Sequence, residues 1–142
     1  KLSRYEMENV MDTRIMLEVG TLHAAIGFLT DQDIEKAEQA LAEFGEAPET
    51  KNLDSLNLKL HFALYAPSNN QVALTLIDQL HANVDRYLHP FYTHQEMERI
   101  KSVEEHRALI NACKNHDAVL AGAILRTHLE KTKIELLKSP LL

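Results

Sequence analysis

Eight histidines occur in this 142-residue chain, and three of them fall where helical spacing turns a side chain inward. In "SLNLKLHFALY", residues 55–65, Asn57 and His61 lie four apart and flank Leu53, Leu56, Leu60 and Leu64. Positions i and i+4 stack on one face of a helix, so an amide and an imidazole border an apolar face. His106 sits among Val103, Leu109, Ile110 and Cys113, and His128 among Ala121, Ile124, Leu125 and Leu136. Two readings fit such residues. Each can be a core polar group satisfied by hydrogen bonds, which is the commoner role for one inward histidine. Alternatively, three imidazoles on three helices share a divalent cation, for which neutral imidazole is a favoured ligand. A buried imidazole with unmade hydrogen bonds costs about 1–3 kcal/mol, and a shared cation offsets that cost.

Arg14 and Glu18 lie one turn apart on the apolar face of the first helix. They form either a buried ion pair, which is weak evidence for stability, or a guanidinium fork facing a carboxylate ligand. Asn83 and Tyr87 border the apolar face of the fourth helix, where they can hydrogen-bond a ligand; Tyr87 also suits a core aromatic. The other histidines read as structural or solvated. His81 falls on the polar side of its helix, His89 and His94 lie near a helix end or loop, His116 sits at a junction, and His23 is off the main apolar stripe. Cys113 reads as an inert core thiol. The chain contains no H-E-x-x-H, Walker loop or G-x-G-x-x-G, and no pair of E-x-x-H motifs of the di-iron bundle type.

The elements that must position these residues are helical. Residues 5–29 form a first helix with Met7, Met11, Leu22, Ala25 and Phe28 on one face. Thr30 has the character of an N-cap, with Asp31 and Asp33 in the first turn of a second helix that fades at Gly45. "GEAPETKN" reads as a loop, 52–65 as a third helix and "APSNN" as a turn. A fourth helix over 69–90 buries Leu76, Ile77, Leu80, Val84, Tyr87 and Leu88. Thr93 and Glu96 form a candidate capping box for a fifth helix reaching Lys114, with Ser102 as a candidate break. A last helix covers 117–137. Short connections between helices imply an antiparallel bundle.

Composition agrees. Apolar residues make up 45% and charged residues 25%, as in an ordinary globular domain, and the length suits one domain over 1–142. The net charge of −6 argues against this segment gripping a DNA backbone by itself. A single cysteine permits no internal disulfide and fits a reducing cytoplasm. No apolar run approaches the ~20 residues of a membrane span. The chain begins at Lys1, as part of a longer protein would.

The order of motifs is similar to that of a known family. "DTRIMLEVGTLHAA" resembles the R-x-x-L-E…A-A opening of the FCD domain, the C-terminal effector-binding domain of FadR-subfamily GntR transcription regulators. "NLKLHFALYAPSNNQVALTLIDQL" resembles its D-x-x-F-H-x-x-L…N-x-x-L segment, and "VEEHRALINACKNHDAVLAGAILRTHLE" its E-H-x-x-I-x-A…D…A…H-L ending. The resemblance spans residues 5–135 and implies an all-α antiparallel bundle of six or seven helices. It implies a divalent metal, zinc first, with nickel or manganese as alternatives, held by one Asp and three histidines. The histidines match His61, His106 and His128; the Asp position holds Asn57, a neutral and poorer donor, and the motif Phe is Leu60. Arg14 matches the family arginine, a partner for a small carboxylate effector, and Asn83 and Tyr87 complete the candidate effector contacts. The resemblance further implies a sensory, dimerising, non-enzymatic domain that controls DNA binding through a winged helix-turn-helix outside this chain. Two other readings stand beside it. One is a metal-free relative that binds an apolar or acyl effector. The other is a metal-dependent hydrolase or lyase, for which Glu18 is the one inward carboxylate available as a base.

Overall fold

The computed structural model describes residues 1–47, 53–94 and 96–142, and the side chains of 89–98 lie outside that description. The described residues form six α-helices and no strand: α1 (Arg4–Ile26), α2 (Asp31–Glu46), α3 (Leu53–Tyr65), α4 (Gln71–His94), α5 (Glu96–Lys114) and α6 (Ala118–Leu136). A single 3-10 turn, Ala66–Ser68, links α3 to α4. The all-α bundle expected from the sequence is the observed class.

Local chemistry sets the helix ends. Ser3 Oγ accepts from Glu6 N at 3.1 Å while Glu6 Oε2 accepts from Ser3 N at 2.8 Å, a capping box that opens α1. Thr30 and Asp33 repeat that arrangement at α2. Asp117 caps α6 by accepting from Leu120 N at 3.1 Å. The end of α5 is closed by His116 in the left-handed region, φ 53°, with Asp117 N donating to Ala112 O at 3.0 Å. That is the C-terminal motif in which a left-handed residue satisfies the last carbonyls.

Some elements differ from expectation. α1 stops at Ile26, so Phe28 sits in a turn, 72% exposed, and Leu29 is buried in its place. α4 runs past Pro90 to His94. Leu76 faces outward on α4, while Leu74 and Ile77 turn inward. α5 is unbroken at Ser102. The loop reading at 48–52, the Thr93–Glu96 capping box and the side-chain roles of His89 and His94 lie outside the described residues.

α1 is the central element, packed against α3, α4 and α6; α2 covers α3 and α5, and α5 packs on α6. Two apolar clusters result. Ile15, Leu22, Leu60, Leu64, Ile110 and Leu125 belong to one, and Met7, Met11, Phe44, Leu53, Leu56 and Val84 to the other. Along α1 the boundary between them falls at Arg14, and along α3 at Asn57. The buried polar residues gather at this boundary. Among the described residues no helix is long and apolar enough to cross a membrane.

Candidate metal centre

His61 on α3, His106 on α5 and His128 on α6 are all buried, and one nitrogen from each lies within 4.8 Å of the others. Their outer nitrogens have fixed partners. His106 Nδ1 lies 2.6 Å from the Ser102 carbonyl, one turn back on α5. His128 Nδ1 lies 2.8 Å from Glu105 Oε1. A carbonyl and a carboxylate only accept, so both Nδ1 atoms carry the proton. His61 Nδ1 lies 3.0 Å from the Tyr65 hydroxyl, whose own proton goes to Glu18 Oε1 at 2.8 Å. The phenol oxygen therefore accepts from His61 as well.

On neutral His61 and His106 rings this arrangement leaves a bare lone pair on each Nε2, and the two atoms stand 2.8 Å apart. Facing lone pairs at that distance repel unless a cation lies against both. Burial, then the neighbouring His106 and His128, hold His61 well below the usual imidazole range. Burial, then His128, bring His106 down to about 3. Both rings are thus neutral at pH 7, the form that ligates a metal. Burial alone would raise Glu105, but hydrogen bonds from His128 and Lys131 outweigh it and bring the carboxyl down to about 2. A carboxylate behind a ligating imidazole fixes its tautomer and raises its basicity.

Asn57 is buried on the same face of α3, and its Oδ1 has no hydrogen-bond partner among the described residues. An unpartnered buried oxygen calls for an explanation, and service as a fourth donor to an ion would supply one. Three nitrogens and one oxygen suit zinc or nickel, so the residues present fit the implied ion.

The Arg14–Glu18 pair is present and buried, with Arg14 Nε donating to Glu18 Oε2 at 2.8 Å. The guanidinium also donates to His81 Nε2 at 2.7 Å and rests 3.5 Å from Met11 Sδ. It is therefore a network hub as well as a candidate ligand fork. Glu18 is engaged through both oxygens, by Arg14 and Tyr65, which leaves it unsuited to act as a general base.

His81 corrects the sequence reading. It is 1% exposed, and burial, then Arg14, push its imidazole well below the usual range. Arginine can only donate, so His81 Nε2 accepts and Nδ1 carries the proton; that N–H has no partner among the described residues. A signal was available in the spacing, because His81 lies four after Ile77 and three before Val84, inside the buried stripe. Tyr65 was also missed as the acceptor that orients His61. Asn83 is exposed on α4, away from the buried cluster. Tyr87 is buried, but its hydroxyl accepts from Leu2 N at 2.8 Å. The structure brings neither to the histidines. His116 lies 3.2 Å from the Leu29 carbonyl through Nε2, and His23 is exposed. Cys113 is a buried free thiol pushed up to about 12 by burial.

Comparison with solved structures gives close fold matches. A GntR-family transcriptional regulator from Pseudomonas syringae pv. tomato str. DC3000 superposes with a TM-score of 0.83 at 19% identity, over 97% of this chain and 58% of that one. McbR/YncC of E. coli superposes with a TM-score of 0.84 at 20% identity, over 96% of this chain and 70% of that one. The chain thus spans little more than half the length of the Pseudomonas regulator. Comparison with curated sequences gives no match. The family model of the FCD domain matches residues 9–131, nearly the whole bundle and all four candidate ligands. The chain belongs to the FCD domain family, the effector-binding module of GntR-type transcription regulators.

Proposed function

We propose that this domain senses a small carboxylate at a divalent metal centre formed by Asn57, His61, His106 and His128, with zinc the first candidate. The observation that supports it most is the locked tautomer set: the Nδ1 atoms are committed as donors, which turns His61 Nε2 and His106 Nε2 on each other at 2.8 Å with a His128 nitrogen within 4.8 Å. A metal-free core would require His61 or His106 to move its proton to Nε2 and give up the bond to Tyr65 or Ser102.

When bound, the ion would supply a Lewis acid for a carboxylate oxygen. The chain does the rest. His61, His106 and His128 reach the site from three different helices, so a ligand that changes the fit of one ring is felt by α3, α5 and α6 together. Arg14 adds positive charge from α1, and the His81 N–H offers a further donor for an anionic oxygen. Differential affinity of the effector for two helix arrangements then shifts their populations. In the full regulator that shift alters the spacing of winged helix-turn-helix domains outside this chain, in a cytoplasmic homodimer.

Metal content by inductively coupled plasma mass spectrometry tests the reading, on untagged protein and on His106→Ala. Close to one ion per chain, lost in the variant, is expected. Protein that stays metal-free after incubation with zinc and nickel would overturn it.

A further inference from the structure

Three buried side-chain atoms lack a hydrogen-bond partner among the described residues: Asp54 Oδ1, Asn57 Oδ1 and His81 Nδ1. The metal centre accounts for Asn57. It does not account for Asp54, whose oxygens are not among the atoms clustered with the three histidines. Asp54 is 6% exposed and lies one turn before Asn57 on the same face of α3. The offset along the helix axis is about 4.5 Å.

The charges around Asp54 make its unpartnered Oδ1 informative. Among the described residues no cation forms an ion pair with it. Arg14, from the adjacent α1, is committed to Glu18 and His81. From α4, Asp85 adds a second negative charge, and burial, then that charge, push the Asp54 carboxyl up to about 7. A buried carboxylate without a counter-ion is costly in a closed core. A positive group supplied by a ligand removes that cost.

The unpartnered atoms thus differ in kind along the site. His81 offers an N–H, the metal centre offers positive charge, and Asp54 offers negative charge one turn away. A plain carboxylate would satisfy the first two and leave Asp54 unpaired. A 2-hydroxy acid would bring Asp54 a donor but no charge. An α-amino carboxylate carries both signs a few ångströms apart and so can meet both kinds of group.

We propose that Asp54 is a specificity residue that receives the ammonium group of an α-amino carboxylate whose carboxylate lies toward the metal centre and the His81 N–H. The proposal rests on the metal-and-carboxylate reading above. Asp54 acts on the ligand and not on the metal.

The test is calorimetric titration of the zinc-loaded chain with matched triples: L-alanine, L-lactate and propionate; L-leucine, its 2-hydroxy analogue and 4-methylpentanoate; L-glutamate, 2-hydroxyglutarate and glutarate. In at least one triple the amino acid is expected to bind tenfold or more tighter than both analogues. Asp54→Asn, which keeps the side-chain shape, is expected to cut that preference below threefold. Zinc content and affinity for the unsubstituted acid should stay unchanged. Equal binding within every triple overturns the proposal but leaves carboxylate sensing intact. A preference that survives in Asp54→Asn overturns it by placing the amine on the metal, and loss of zinc in that variant overturns it by making Asp54 a ligand. Failure of every carboxylate to bind overturns the carboxylate reading and this proposal together.

Discussion

His61 Nε2 and His106 Nε2 face each other at 2.8 Å, with both rings held as Nδ1 donors. Such a pair gains from any cation placed against it, so the folded state should bind metal far better than the unfolded chain. Stabilisation by a ligand of the native state reaches about 4 kcal/mol at a thousand times its Kd. For a domain of this size that is roughly 10–20 °C in melting temperature. Thermal melts with zinc and with EDTA should differ by that order, and His106→Ala should erase most of the difference. Equal melts in both conditions would contradict a shared cation.

Tyr65 is the residue whose removal best separates orientation from ligation. Its oxygen accepts from His61 Nδ1, and its proton goes to Glu18, which also holds Arg14. Tyr65→Phe deletes the acceptor without touching a ligand. His61 can then place its proton on Nε2, and metal affinity should fall about 10–100-fold, as when the partner behind a ligating imidazole is lost. Chelator competition measures this. Unchanged affinity would mean that the His61 tautomer is fixed in some other way.

Breaking the Arg14–Glu18 pair from one side should be worse than removing both. Glu18→Gln leaves Arg14 buried against a neutral partner, at a cost of about 3–5 kcal/mol. Joining Arg14→Met to it should recover part of that loss, because the uncompensated charge goes too. Denaturant unfolding of both singles and the double gives the coupling energy. Strict additivity would show that the pair does not act as a unit.

The inward orientation of His61, His106 and His128 was legible because each lies inside an apolar helical stripe. Arg14 and Glu18 were legible for the same reason. His81 was not, although its spacing from Ile77 and Val84 is equally regular, because the polar residues beside it on α4 blur the stripe's edge. Asn83 was read as bordering the apolar face by the same ambiguity, and the structure leaves it exposed. The role of Tyr65 depends on Glu18, 47 positions away, and periodicity within one helix holds no record of such a contact. Asp54 looks like an ordinary first-turn acid, favourable near a helix N-terminus, until the neighbouring helices bury it. Phe28 was misplaced because α1 ends three residues before the expected boundary.

Metal-free protein should be acid-sensitive. Burial holds His61, His81 and His106 below the usual imidazole value of 6.5, His106 at about 3. Between those limits the unfolded chain binds protons that the folded chain does not. Stability is therefore full above about pH 6.5 and lost as pH falls toward 3, with a slope of about 1.4 kcal/mol per pH unit for each imidazole involved. Asp54, raised from 3.8 to about 7, acts in the opposite direction, its contribution present below 3.8 and lost as pH rises through 7. Asp85, also raised by burial, acts the same way, and three imidazoles against these two carboxyls leave a net loss on acidification. Urea midpoints in EDTA should fall from pH 7.5 to pH 5; a flat profile would show that the imidazoles are not buried in neutral form.

Asn57→Asp should act with opposite signs on the two states of the protein. The Asn57 Oδ1 atom is buried and unpartnered, and as a neutral donor it would leave the charge of a bound ion uncompensated. A carboxylate at the same place adds Coulomb attraction, so affinity for zinc should rise at least tenfold, or about 1.4 kcal/mol. Without metal the same carboxylate is a buried charge beside neutral imidazoles, and the melting temperature in EDTA should fall below that of the parent. Chelator competition and paired melts read both effects. A variant that destabilises the metal-free protein yet leaves zinc affinity unchanged would remove Asn57 from the coordination sphere and leave a three-histidine site.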